Sequence, residues 1–250
     1  MRPEILILGG TTEGYALAAA LADHPRFTPV SSLAGRTSSP RLPAGESRIG
    51  GFGGPEGLAE WLRERGTRAV VDCTHPFASR MGWNAATACA GLGLPLLRLE
   101  RPAWRPGPED AWDEVDDWDQ AVERLAALGA RRVLLALGRQ DLAPFAALDP
   151  VWFLIRSVEP PEPMPPFAQA EILLARGPFS AEDERALLAG HQIDALVCKN
   201  SGGNATDAKL AVARELGVRV VMRRRPRRPD TANVATVAEA LDWLERTLAG

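Results

Sequence analysis

Near the end of the chain, Cys198-Lys199-Asn200-Ser201-Gly202-Gly203 follows the apolar run Ala195 to Val197 and precedes a helical pattern from Asp207 to Leu216. A lysine, an amide, a hydroxyl and two glycines therefore stand where the carboxyl end of a strand meets a helix start. Ligands of open α/β sheets bind at that edge, and free amides at a helix start favour negative charge. The beginning of the chain has the same character: Ile5-Leu6-Ile7-Leu8, then Gly9-Gly10-Thr11-Thr12-Glu13-Gly14. Small residues permit a tight turn whose amides can receive a phosphate, and Thr11 and Thr12 add hydroxyl donors. With threonine at position 11 the segment is a partial match to the G-x-G-x-x-G dinucleotide fingerprint, so a βα turn without a ligand stays open.

Further candidates sit at other strand ends. NAD sites place an acid about 20 residues beyond the glycines, bonded to the ribose hydroxyl. Here Ser31-Ser32-Leu33-Ala34-Gly35-Arg36 offers hydroxyls and a base instead. That pattern suits a 2′-phosphate, hence NADP(H), unless Arg36 is a solvated loop arginine. Gly50-Gly51-Phe52-Gly53-Gly54 fits either close approach to a ligand or a sharp turn. In Asp72-Cys73-Thr74-His75-Pro76-Phe77 the imidazole of His75 could donate to a substrate or act as a general acid, or be structural. Arg139, Arg156, Arg176 and Lys199 each follow an apolar run, and together they would suit a substrate with several carboxylates; singly, each reads as a surface cation. The run Arg223-Arg224-Arg225-Pro226-Arg227-Arg228 reads first as a solvated loop, then as a contact for substrate carboxylates, and last as a nucleic-acid patch. The single tyrosine, Tyr15, has Ala19 four residues on, which excludes the Tyr/Lys chemistry of short-chain dehydrogenases.

The elements that must position these groups alternate along the whole chain. Strands are expected at Ile5–Leu8, Phe27–Leu33, Arg48–Gly50, Ala69–Asp72 and Pro95–Leu99, with helices at Thr12–Ala22, Pro55–Arg65 and Ala78–Ala90. After the Pro- and Gly-rich stretch Arg101 to Pro108 the alternation resumes. A helix is expected at Asp117–Leu128, strands at Arg132–Leu137, Trp152–Arg156 and Glu171–Ala175, and a helix at Ala181–Gly190. Strands at Ala195–Cys198 and Arg219–Met222 and helices at Asn204–Leu216 and Val234–Leu248 complete the pattern. Continuous apolar strands separated by helices predict parallel sheets covered on both faces, in two domains over residues 1–102 and 103–250, with the packing of the last helix left open.

Composition sets the outer limits. The 250 residues are 46% hydrophobic and 24% charged, ordinary for a globular protein, and the formal net charge of −3 carries no footprint for nucleic acid or an anionic membrane. Three widely spaced cysteines form no C-x-x-C pair and have no histidine at metal-ligand spacing, so neither a metal site nor a disulfide framework is expected. No apolar run approaches the roughly 20 residues needed to span a bilayer, and a cytoplasmic protein is expected.

Taken together, Leu6 to Thr12, Ser32 to Arg36, Gly50 to Gly54, Asp72 to Ala78, Arg176 to Ser180 and Lys199 to Gly203 give the chain a specific likeness. It resembles the precorrin-6A reductase family, including the cobalt-precorrin-6A reductases, of corrin (vitamin B12) biosynthesis. The resemblance implies an α/β chain of two Rossmann-like domains with the active site in the cleft between them. It implies NADPH-dependent reduction of one double bond of the precorrin-6A macrocycle to the dihydro product precorrin-6B. On that basis Gly9, Gly10, Thr11, Thr12, Ser32 and Arg36 would hold the cofactor, with Thr74 and His75 near the nicotinamide. Arg139, Arg176, Lys199, Asn200, Ser201 and Gly202 would hold the tetrapyrrole-derived polycarboxylate, and Lys199 or His75 would supply a proton unless solvent does. The partners expected are this small molecule and, transiently, enzymes of neighbouring steps, with no nucleic acid and no membrane. A reductase of another polycarboxylated molecule and a non-catalytic nucleotide sensor are the competing readings. An S-adenosylmethionine-dependent methyltransferase is disfavoured by Arg36 in place of an acid.

Overall fold

The computed structural model describes residues 2–35, 41–203 and 207–249. Its strands are β1 (Glu4–Leu8), β2 (Thr28–Leu33), β3 (Glu46–Ile49), β4 (Ala69–Asp72), β5 (Leu96–Leu99), β6 (Trp112–Val115), β7 (Arg132–Ala136), β8 (Trp152–Ser157), β9 (Ala170–Leu174), β10 (Ala195–Lys199), β11 (Arg219–Arg223) and β12 (Ala232–Val234). The helices are α1 (Thr12–Ala22), α2 (Pro55–Arg65), α3 (Ser79–Leu92), α4 (Trp118–Leu128), α5 (Ala181–Gly190), α6 (Ala208–Leu216) and α7 (Val237–Thr247). No helix among the described residues is long and apolar enough to cross a membrane.

The chain forms two compact units, Met1–Pro102 with Pro226–Gly250, and Ala103–Arg225. Each holds one six-stranded sheet, and every pairing is parallel. In the first unit the order is β3-β2-β1-β4-β5-β12. Counted within the unit this is 3-2-1-4-5-6, the order of dinucleotide-binding sheets, with its switch point between β1 and β4. The second sheet, β9-β8-β7-β10-β11-β6, has the same spatial order. Its sixth place is filled by the strand that enters the unit first, so both sheets are Rossmann-like and the second has permuted connections.

Alternate residues of the central strands face different helix layers, which is why β1, β4, β7 and β10 are mostly apolar. Ile5 and Ile7 pack with Leu17 and Leu21 of α1 and Leu244 of α7. Leu6 and Leu8 pack with Leu58 and Leu62 of α2 and Ala85 and Cys89 of α3. In the second unit Val133 and Leu135 meet Trp118 and Leu125 of α4 and Phe145, while Leu134 and Leu196 meet Leu188 of α5 and Leu210 of α6. Each fully buried aliphatic side chain contributes about 1.5–3 kcal/mol.

Several features differ from the sequence expectation, the unforeseen edge strand β6 among them. Residues 226–250 belong to the first unit, not to a second domain running from 103 to 250. The reason is an edge strand and an amphipathic helix: β12 pairs with β5 (Ala232↔Leu97, Val234↔Leu99), and Ala240 and Leu244 of α7 complete the core around Ile5 and Ile7. The last helix also starts later than Val234, because Val234 is the last residue of β12 and a Thr236–Glu239 capping box opens α7. Finally, β7 and β8 are joined by two 3-10 turns, Arg139–Asp141 and Ala143–Ala147, which carry Asp141.

Candidate active site

At the switch point of the first sheet, the β1–α1 turn meets the end of β4. Gly10 adopts φ +112, a backbone conformation that side chains resist, and an added Cβ there would meet nothing within 4 Å. Gly14 is needed for a different reason: its Cβ would lie 3.1 Å from Cys73 Cβ. It therefore serves the close helix–strand packing that the last glycine of the dinucleotide fingerprint provides. Thr11 caps α1. Its hydroxyl accepts from Gly14 N at 3.3 Å and donates to the Cys73 carbonyl at 2.7 Å. That single proton is committed within the fold and is not available to a phosphate oxygen. Gly9 and the exposed Gly10 and Thr12 border the same turn. Glu13, an awkward neighbour for a pyrophosphate, is ion-paired with Arg101 at 2.9 Å.

The end of β4 is organised around Asp72 and Arg228, both buried. Asp72 Oδ1 accepts from the Thr74 amide at 2.9 Å and the Thr74 hydroxyl at 2.6 Å. Asp72 Oδ2 accepts from Arg228 Nη2, whose guanidinium also donates to the carbonyls of His75 (3.2 Å) and Pro76 (3.3 Å). Arg228 is thus no member of a solvated arginine loop. Thr74, assigned from sequence to the cofactor, spends its hydroxyl proton on Asp72. His75 is half-buried, and its Nδ1 accepts from the Phe77 amide at 3.2 Å. A neutral ring therefore carries its proton on Nε2. The Cys73 thiol is pushed well above its ordinary value by burial, then by Asp72 and Glu13. It is an inert core group.

The glycines at 50–54 belong to a turn held from β3. Arg48 donates to the carbonyls of Gly50 and Gly51, both at 3.0 Å, and to Ser32 Oγ at 2.8 Å. Gly50, Gly53 and Gly54 have φ of +117, +81 and +109. Arg36 lies outside the described residues.

In the second unit, Lys199 at the end of β10 donates to Asp141 Oδ2 at 2.6 Å. Asp141 Oδ1 accepts from Trp118 Nε1 at 2.9 Å, and Arg223 at the end of β11 lies 4.0 Å away with its guanidinium 4.7 Å from the centre of the Trp118 ring. Lys199, Asp141, Arg223 and Trp118 thus form one cluster, in which Asp141 has no precedent in the sequence reading. Arg139 follows β7 and is paired with Glu159 at 3.1 Å. Arg176 follows β9, is exposed, and makes no ion pair among the described residues. Arg156 does not join this edge: it is buried against Glu184 at 3.0 Å, under the Phe179 ring at 4.2 Å.

Asn200 also departs from expectation. Its side chain accepts from Trp104 N at 2.9 Å and donates to Trp104 O at 3.0 Å, a two-point bond that leaves it buried. Trp104 Nε1 donates to Gly203 O at 2.8 Å, and Arg225 donates to the carbonyls of Asn200 (3.0 Å) and Ser201 (3.1 Å). The side chain of Asn200 therefore ties the loop to Trp104. Ser201 is half-buried, and Gly202 and Gly203 take φ of +67 and +73, which permit the loop's turn.

Comparison with known proteins bears on this arrangement. Residues 4–245 match the family model described as precorrin-6x reductase CbiJ/CobK. The chain is 53% identical over 242 residues, 96% of each sequence, to a precorrin-6A reductase of Rhodococcus erythropolis. It is 31% identical over 212 residues, 80% of this chain and 78% of the other, to a cobalt-precorrin-6A reductase of Salmonella typhimurium. A solved structure described as CobK precorrin-6A reductase superposes with a TM-score of 0.92 at 41% identity, covering 98% of this chain and 97% of that one. With two parallel Rossmann-like sheets and a match running almost end to end, the chain belongs to the precorrin-6x reductase family.

Proposed function

We propose that the chain reduces one carbon–carbon double bond of precorrin-6A with NADPH, giving the dihydro product precorrin-6B. The match to the reductase family over residues 4–245 carries this reading. The first sheet supports the cofactor half: a 3-2-1-4-5-6 order, a positive-φ Gly10 at its switch point, and Gly14 packed on Cys73 form the kind of turn a pyrophosphate approaches. Gly9, Gly10 and the amides at the start of α1 would hold the pyrophosphate, Ser32 and Arg36 the ribose phosphate, and Thr74 and His75 the region of the nicotinamide. When bound, the reduced nicotinamide supplies a hydride.

The protein's own share is positioning and a proton. Arg139, Arg176, Lys199, Ser201 and Gly202 would engage the carboxylates of the macrocycle, as charge-assisted bonds to carboxylates do. Hydride added to one carbon of the double bond requires a proton at the other, which Lys199 Nζ or His75 Nε2 would deliver. Metal-free precorrin-6A is favoured over the cobalt form because relatives named for it share 42–53% identity, against 27–31% for those named for the cobalt form. Turnover of the two substrates side by side with NADPH tests this. Faster reduction of the metal-free macrocycle is expected, and a preference for the cobalt form would reverse the assignment.

A further inference from the structure

Arg48 is a cation at the carboxyl edge of the first sheet with no carboxylate partner among the described residues. On β3 it stands opposite Ser32 of β2, and Ser32 stands opposite Leu8, the last residue of β1. The phosphate-type turn after β1 is bonded to the same residue, since Gly9 N donates to Ser32 O at 2.9 Å. Arg48 Nη1 donates to Ser32 Oγ and Gly50 O, and Nη2 to Gly51 O. The Nε–H and one N–H on Nη2 have no partner among the described residues. The guanidinium lies over the Phe52 ring, 3.9 Å from its centre, and burial lowers its pKa. Glu46, the acid on the same strand, is held by Arg65 at 2.8 Å, and Arg65 also pairs with Glu4 at 2.7 Å.

A partly desolvated guanidinium without an anion is unfavourable unless a ligand supplies the charge. The end of β2 is where dinucleotide sheets distinguish a ribose 2′-hydroxyl from a 2′-phosphate. Ser32 Oγ accepts from Arg48, so its own proton remains for a phosphate oxygen. We propose that Arg48, fixed by Ser32 and the Gly50–Gly51 carbonyls, reads the cofactor's 2′-phosphate and sets the preference for NADPH over NADH. This rests on the nicotinamide reading above, and it places the determinant on β3, apart from Arg36. The competing role is structural only: Arg48 clamps the glycine turn and touches no ligand.

The test is equilibrium titration of wild type, R48A and R48Q with NADPH, NADH, 2′,5′-ADP and 5′-AMP. R48Q keeps a donor for Ser32 or the loop carbonyls while removing the charge, so it separates charge from clamping if R48A disturbs the turn. The wild type is expected to prefer NADPH to NADH and 2′,5′-ADP to 5′-AMP. In both variants the two preferences should fall by about tenfold or more, the loss of one charge-assisted contact, with NADH affinity changing less than about threefold. Preferences that fall by less than tenfold, or losses shared equally by NADPH and NADH, would overturn the role of Arg48. A wild type that binds a nicotinamide nucleotide without preferring the 2′-phosphate would overturn it too, while leaving the reductase reading intact. Binding of neither nucleotide would bring down the nicotinamide reading itself.

Discussion

Lys199 and Asp141 meet at 2.6 Å, joining the end of β10 to the 3-10 turn that follows β7. The pair fixes the ammonium at the carboxyl edge of the second sheet, with Trp118 holding the other carboxylate oxygen. If Lys199 delivers the proton, K199A should lower kcat by about a hundredfold or more, the usual scale for a positioned acid. Its dissociation constant for NADPH should change less than about threefold. D141N should lower kcat by a smaller factor, about tenfold, because it loosens the ammonium without removing it. Single-turnover reduction beside NADPH titration measures both, and an unchanged kcat in K199A removes Lys199 from the chemistry.

The Asp72–Arg228 pair should be a point of stability. Both groups are buried, and removing one leaves the other charge uncompensated, a cost of about 3–5 kcal/mol. R228A should lower the unfolding free energy by that amount in denaturant titration. Gly82 offers a partner test, since a Cβ there would lie 2.7–2.9 Å from the Arg228 guanidinium. G82A alone should cost about 1–3 kcal/mol from overpacking. Combined with R228A its added cost should shrink, a non-additivity that marks direct contact. Strict additivity would show that the two do not touch.

The start of α1 should be sensitive in a different way. Gly10→Ala places a side chain at φ +112 in open space, and Gly14→Ala places one 3.1 Å from Cys73. Gly10→Ala should destabilise by about 1 kcal/mol or more through its positive φ, and Gly14→Ala should act through crowding against Cys73. Nucleotide affinity, measured by titration, should fall in Gly10→Ala even where the protein stays folded. Wild-type affinity in that variant would separate the turn from the cofactor.

The cysteines should be silent. Burial raises the thiol of Cys89 to about 12 and that of Cys198 to about 11, and Cys73 lies higher than its ordinary value for the same reason. Because the thiolate is the reactive species, a raised pKa leaves little of it between about pH 8 and 9, where an ordinary thiol ionises. Labelling with a thiol reagent in that range should be slow in the folded protein and reach all three sites on unfolding. Rapid labelling of native protein would contradict the burial.

Much of this was legible in the residues. Strict apolar runs such as Ile5–Leu8 and Ala195–Val197 announce strands buried on both faces, and helices opened by Pro55 or Ser180 are marked by their first turns. β6 was not legible, because Trp112-Asp113-Glu114-Val115 is a polar edge strand whose Asp113 pairs with Arg124 and Arg219. β12 is too short to show a period, and only its pairing with β5 assigns residues 226–250 to the first unit. At the site, sequence marks residue types at strand ends, but it cannot show which polar groups satisfy one another. Asn200 looked free and is bonded twice to Trp104. Arg48 and Asp141 looked ordinary and stand beside Ser32 and Lys199.

The most direct measurement is incubation of the purified protein with precorrin-6A and NADPH, following nicotinamide absorbance and product mass together. Stoichiometric loss of NADPH with a product that has gained two hydrogens is the predicted result. A protein that binds NADPH yet leaves precorrin-6A unreduced, with NADH equally inactive, would contradict the account and return the chain to the status of a nucleotide-binding sensor.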